Sequence, residues 1–169
     1  MAPESLEIPS PIGTLRANVQ HGFLISLDFI DDVLSPLAEE NSQTISQHDN
    51  PIFRQIVDEL NGYFLGKLTS FSIPIIPLGS NFSKGVWTAL MDIPFGTTIS
   101  YATQAQRMQA PSAIRAIAAA NGKNPIPIII PCHRVIGSNG NLTGYSGGLW
   151  RKQWLLTHEG AMSHQEKLF

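Results

Sequence analysis

Cys132, His133 and Arg134 stand together at the end of an apolar run punctuated by proline, Asn124-Pro-Ile-Pro-Ile-Ile-Ile-Pro131. Cys132 is the only cysteine in 169 residues. A thiolate is a strong nucleophile, yet at a free pKa of about 8.5 only a few per cent of a thiol is ionised at neutral pH. Burial would lower that fraction further, so a base is needed, and His133 is the nearest in sequence. Neighbouring side chains on a helical turn point about 100° apart, so a bridging water would carry the proton between them. Prolines fix φ and β-branched isoleucines stiffen the gaps, which predicts an extended, rigid and buried segment ending in the thiol. A lone cysteine serving only as a small buried hydrophobe has the same local composition.

A catalytic imidazole needs a third group to hold its ring. Glu159 follows a predicted helix carrying Leu149, Trp150, Trp154 and Leu155 that ends near His158. A carboxylate at a helix C-terminus opposes the helix dipole, and contact with His133 would offset that. The plainer alternative is an exposed glutamate in a frayed turn; His158 reads as structural. Asn124 precedes a proline and is placed to brace the turn into the cysteine through side-chain hydrogen bonds. Tyr145-Ser146-Gly147-Gly148 is a glycine-rich loop whose backbone N–H groups are open to close approach. Pro111-Ser-Ala-Ile-Arg115-Ala-Ile-Ala-Ala-Ala-Asn121 sets one long cation among alanines. It has almost no side chains able to read base edges in a major groove. Its small residues suit close, sequence-independent contact in a minor groove, with Arg115 as a wedge. An alanine-rich core helix with a solvated arginine shows the same pattern.

The elements that must position these groups fall in two parts. Residues 11–19 read as a strand, Gln20-His21-Gly22 as a turn and Phe23–Phe29 as a second strand. Residues 31–50 are acidic and read as loop and short helix, with a solvated His48. Asp49 or Asn50 can cap a helix that starts at Pro51 and carries Ile52, Phe53, Ile56, Val57, Leu60, Tyr63 and Phe64 on one stripe. Gly66 helps end it, and Phe71–Ile76 returns extended. Pro74, Pro77 and Gly79 mark a linker, giving an N-terminal domain over 1–79 and a C-terminal domain over 80–169. In the second part, Phe82, Val86, Trp87, Leu90 and Met91 form a helical face. Ser100 caps a short helix from Tyr101 to about Arg107, and Pro111 opens another that Gly122 stops. Two short helices around a tight turn make a helix-turn-helix candidate.

Charge divides the same way. Residues 1–80 carry three bases against ten acids, net −7, and residues 81–169 eight bases against three acids, net +5. That asymmetry points to one half meeting a polyanion. No stretch is apolar enough to span a membrane, and Glu4 and Glu7 interrupt any signal-peptide pattern. One cysteine excludes an intramolecular disulfide and a multi-thiolate metal site, and a free thiol suits a reducing cytoplasm.

Asn-Pro-x-Pro-x-x-x-Pro-Cys-His-Arg-Val, then Gly144-Tyr-Ser-Gly-Gly148, then Leu155-Leu-x-His-Glu-Gly160, resembles the O6-alkylguanine-DNA alkyltransferases over roughly residues 80–161. Tyr63-Phe64-x-Gly66-x-Leu68 and Phe71-x-x-Pro74 are similar to the end of that family's N-terminal domain. The resemblance implies an α+β fold: a small sheet-plus-helix domain, then a mainly helical domain with a winged-helix-like helix-turn-helix. It implies direct repair in one turnover, with a methyl or small alkyl group passing from guanine O6, possibly also thymine O4, to Cys132. His133, through water, and Glu159 would activate the thiol. Arg115 would be the arginine finger that fills the gap left by the flipped nucleotide, with Lys123 and other bases helping to offset the cost of extrusion. Tyr101 would donate to the departing guanine, and Asn124 would brace the site. Tyr145 would cover the base, with Gly147 beside it in the loop. Ser146 would offer an N–H near the guanine oxygen, the carbonyls of Cys132 and Val135 would read the exocyclic amine, and Pro127 would form a wall. Some members hold zinc through N-terminal cysteines, which this chain lacks; no metal or cofactor is implied. The expected partner is damaged double-stranded DNA approached from its minor groove, by a monomer. The competing readings are a lesion-binding protein of the same fold without chemistry, which Cys132 argues against, and a cysteine hydrolase.

Overall fold

The structure is a computed structural model that describes residues 2–31 and 50–163. His48 and Asp49 lie outside the described residues. The chain forms two compact units, Met1–Pro77 and Leu78–Phe169.

The first unit is an antiparallel sheet of β1 (Glu4–Ile8), β2 (Thr14–Gln20) and β3 (Phe23–Ile30), in that order, with one helix, α1 (Pro51–Phe64). β2 alternates strictly, so Leu15, Ala17 and Val19 are buried while Arg16 is exposed. Leu24 and Leu27 are three apart, yet both are buried. The register slips between Asn18 and Val19, and this bulge adds the residue that turns both inward. Ile52, Phe53, Ile56, Leu60 and Tyr63 of α1 complete the apolar interior, each worth about 1.5–3 kcal/mol of burial. Asn50 caps α1 by accepting from the Ile52 N–H, and Gly66 ends it at φ 75°.

One strand of this unit was not read from the sequence, and one strand boundary moves. β1 is a strand that the flanking Pro3 and Pro9 concealed; its Leu6 and Ile8 are buried. β2 begins at Thr14, because Ser10–Gly13 is a turn closed by Gly13 N–H to Ser10 O at 3.2 Å.

The second unit contains α2 (Asn81–Leu90), β4 (Ile99–Ser100), α3 (Tyr101–Arg107), α4 (Ile114–Gly122), a 3-10 turn (Cys132–Arg134), β5 (Val135–Ile136) and α5 (Leu149–His158). Ser80 caps α2 and Ser100 caps α3. Pro111 does not open α4. It sits in the connecting turn, and the helix starts at Ile114, with no side-chain cap. α3 and α4 are locked by a reciprocal amide pair: Asn121 donates to Gln104 at 2.7 Å and Gln104 donates back at 3.1 Å. Both amides are buried, so breaking one side would leave an unsatisfied partner. Trp87 of α2 donates from its indole to the Ala120 carbonyl at 2.9 Å and so anchors the C-terminal part of α4. β4 pairs with β5 in parallel, Ile99 opposite Val135. This ties the head of α3 to the chain leaving the Cys-His-Arg turn.

Candidate active site

The run from Asn124 to Pro131 is buried over most of its length, but it is not extended. It folds back through two three-residue turns. Ile129 N–H donates to Pro127 O at 2.9 Å around Ile128, which holds φ 73°. Cys132 N–H donates to Ile130 O at 2.8 Å around Pro131, at φ −83° and ψ 61°. The second is the relaxed γ-turn and the first its strained mirror form. A β-branched residue at positive φ costs of order 1–3 kcal/mol, which the surroundings must over-determine. Asn124 does part of this. Its amide donates to Ile130 O at 2.7 Å, and its oxygen accepts from Ile126 N–H at 2.9 Å. Fixed proline φ values constrain each residue singly; the side chain of Asn124 decides that the chain bends.

The bend delivers Cys132 to the start of the 3-10 turn, where Cys132, His133 and Arg134 are all buried. His133 Nε2 lies 2.7 Å from Glu159 Oε2. Arg134 binds the same carboxylate, Nε to Oε1 at 2.8 Å and Nη2 to Oε2 at 3.2 Å, and its Nη1 donates to Ile93 O at 2.6 Å. The His133 and Glu159 side chains are fully enclosed. Burial alone would raise the Glu159 pKa. The bonds and charges of His133 and Arg134 outweigh it and hold the carboxyl well below the usual range. Burial lowers the His133 pKa, against the opposing pull of Glu159, so the ring is neutral at pH 7. A carboxylate only accepts, so Nε2 carries the ring proton. Nδ1, buried and without a hydrogen-bond partner among the described residues, is left with its lone pair. Burial pushes the Cys132 thiol up, while the Asn124 side chain and the Lys152 charge pull it down. Glu159 caps α5, whose dipole alone would disfavour it; the two partners predicted and found at His133, and newly found at Arg134, explain its place.

Cys132, Tyr101, Arg115 and Tyr145 line one cavity of about 410 Å³, together with Ile114, Ala118 and Thr143. Its size falls in the range of small-molecule sites, roughly 300–1,000 Å³. α4 is no core helix: Ile117, Ala120 and Asn121 are buried, while Ile114, Arg115, Ala116 and Ala119 are exposed. Lys123 is exposed at its end. Tyr101 donates to Thr143 O at 2.9 Å, and burial raises its pKa. Burial likewise raises the Tyr145 hydroxyl well above its ordinary range. Pro127, Val135, Ser146 and Gly147 do not line this cavity. Pro127 and Val135 are buried, and the Cys132 carbonyl accepts from Val135 N–H. Ser146 is exposed, and Gly147 O accepts from Arg151 at 3.0 Å. A wider groove of about 560 Å³ lies along Trp150, Gln153, Trp154, Thr157 and His158. It contains no thiol, and His158 stacks on Trp154 at 4.9 Å, as a structural residue would.

Sequence reasoning missed the burial of three cations. Arg134, Arg151 and Lys152 are all buried. The signal was available for Lys152: it sits three and four residues before Leu155 and Leu156, inside the apolar stripe of α5. Among the described residues no cluster of His, Cys, Asp or Glu could hold a metal ion, and no helix is long and apolar enough to cross a membrane.

The chain is similar to known proteins over most of its length. Residues 81–161 match the 6-O-methylguanine DNA methyltransferase DNA-binding domain, and residues 8–77 match the ribonuclease-like domain of the same proteins. The methylated-DNA–protein-cysteine methyltransferase of Mycolicibacterium paratuberculosis is 45% identical over 152 residues, spanning 90% of this chain and 89% of the relative. The crystal structure of the Mycobacterium tuberculosis O6-methylguanine methyltransferase superposes with a TM-score of 0.79 at 40% identity, covering 97% of this chain and 96% of that one. The Mycobacterium tuberculosis OGT in complex with DNA gives 0.78 at 42% identity, covering 93% and 92%. The chain belongs to the methylated-DNA–protein-cysteine methyltransferase family.

Proposed function

We propose that the protein repairs DNA by moving a methyl or small alkyl group from guanine O6 to Cys132 Sγ. The observation that carries this is the 2.7 Å contact of His133 Nε2 with Glu159 Oε2, which leaves the buried Nδ1 without a hydrogen-bond partner among the described residues. Glu159 holds the proton on Nε2, so Nδ1 can take the thiol proton, through a water or directly. Sγ then attacks the alkyl carbon in line. The carbon–O6 bond breaks, and its electron pair returns to the guanine, where Tyr101 donates to the developing charge. The product is a thioether, which water does not cleave under ordinary conditions, so each molecule acts once. Guanine stays in the strand.

The substrate atom lies inside a duplex, so the nucleotide must leave the stack, at a cost of a few kcal/mol. α3 and α4 act as a helix-turn-helix, with the exposed Ala116 and Ala119 letting the backbone approach the minor groove. Arg115, at the cavity mouth, takes the place of the extruded base. Tyr145 covers the base in the cavity. The Ser146 N–H, the Cys132 and Val135 carbonyls, Gly147 and Pro127 come into range only as the base and loop settle. The protein acts as a monomer in a reducing compartment such as the cytoplasm, and the cavity also suits O4-alkylthymine. Mass spectrometry after mixing with excess O6-methylguanine duplex tests this. One methyl group on Cys132, and no more with time, is expected. An unmodified thiol would leave a lesion-binding protein; turnover without a lasting adduct would leave a hydrolase.

A further inference from the structure

Lys152 is 1% exposed, although no step above requires it. Its ammonium group faces three oxygens: Gly144 O at 3.2 Å, Thr143 O at 3.3 Å and Tyr101 Oη at 3.5 Å. Three N–H donors thus meet three acceptors. The Tyr101 hydroxyl meanwhile spends its own hydrogen on the Thr143 carbonyl. That hydrogen is the one the departing guanine needs, so Tyr101 must turn from Thr143 to the base as substrate seats. Lys152 still donates to the Thr143 carbonyl when this happens, so that carbonyl keeps a partner and the loop stays held. Arg151, next to it on α5, holds Gly147 O at 3.0 Å. Two adjacent cations therefore grip the loop by carbonyls on both sides of Tyr145.

We propose that Lys152 is a positioning residue for alkyl transfer: its ammonium holds the Thr143–Gly144 end of the loop and polarises Tyr101 Oη, so the phenol can exchange the Thr143 carbonyl for the guanine without releasing the loop. The inference rests on the alkyl-transfer reading. The lysine keeps its proton throughout; the phenol O–H is the donor to the base. Titratable groups in its field are Tyr101 from α3 and Cys132 and His133 from the 3-10 turn, with Arg151 beside it on α5. Burial lowers its pKa to about 8, partly offset by the Cys132 charge.

The test is single-turnover transfer from saturating O6-methylguanine duplex to the full chain, to Lys152→Met, to Tyr101→Phe and to the double variant. Lys152→Met should slow the limiting rate about tenfold in the wild-type background and less than about twofold beside Tyr101→Phe, since residues acting as a unit are not additive. Equal slowing in both backgrounds, or none, overturns the proposal. A second measurement leaves the lysine intact. The ratio of wild-type to Tyr101→Phe rates, taken from about pH 7 to 9, cancels thiol ionisation. Burial keeps the phenol protonated over that range, so the ratio should fall at least about threefold as the ammonium loses its proton. A flat ratio with normal transfer removes the role of Lys152 alone. Absence of any transfer to Cys132 removes the alkyl-transfer reading as well.

Discussion

Glu159→Gln separates the charge of the buried carboxylate from its shape. Two oxygens now serve three donors: Oε1 takes Arg134 Nε, and Oε2 takes His133 Nε2 and Arg134 Nη2. Glutamine has one oxygen and one NH₂. Arginine can only donate, whereas imidazole can change tautomer, so the amide oxygen goes to Arg134 and the NH₂ faces His133. Nε2 must then accept, and the ring proton moves to Nδ1. The base would present a hydrogen, not a lone pair, towards the thiol. General-base assistance is worth about 10²–10⁴-fold, and the limiting transfer rate should fall by that amount. Removing one partner of a buried ion pair costs about 3–5 kcal/mol. The retained amide oxygen keeps part of this, so a loss of roughly 2–3 kcal/mol and a Tm lower by about 4–12 °C are expected. Single-turnover transfer gives the rate, ¹⁵N imidazole shifts give the tautomer, and thermal melting gives the stability. A folded variant with the flipped tautomer and a near-normal transfer rate would refute the assignment of His133 as base.

Cys132→Ser should abolish transfer while keeping affinity for lesion duplex within about threefold, measured by titration; loss of binding in a folded variant would make the thiol structural. Arg115→Ala should slow repair of duplex about tenfold or more and of single-stranded substrate far less, because only duplex carries the cost of extrusion. Equal slowing on both would remove the wedge. Acid should destabilise the fold in two windows. The buried His133 resists protonation that the unfolded chain accepts below about pH 6.5, so stability falls from there downwards. Glu159, held low in the fold, adds a second loss below about pH 4. Urea unfolding against pH should show the first window vanish in His133→Asn and the second in Glu159→Gln.

Much of the chemistry was legible in linear order, because it depends on residue type. A single thiol beside an imidazole, a carboxylate after a helix and an arginine among alanines are visible without coordinates. So are Asn50 and Ser100 as caps, since capping is local and needs only a hydroxyl or amide before an apolar stripe. Folding decided what depends on distant partners. The prolines read as an extended rod, but Asn124 pulls Ile130 back and strains Ile128 at φ 73°. Glu159 was matched to His133 in advance, yet its second partner, Arg134, follows from both ends of a 25-residue separation meeting in one buried spot. The place of Lys152 in the apolar stripe of α5 hints at burial, but only the return of the 143–144 loop carbonyls to its ammonium group gives it partners. A side chain's type is written in the chain; its solvent exposure, and hence whether its charge is cheap or costly, exists only once the tertiary neighbours arrive.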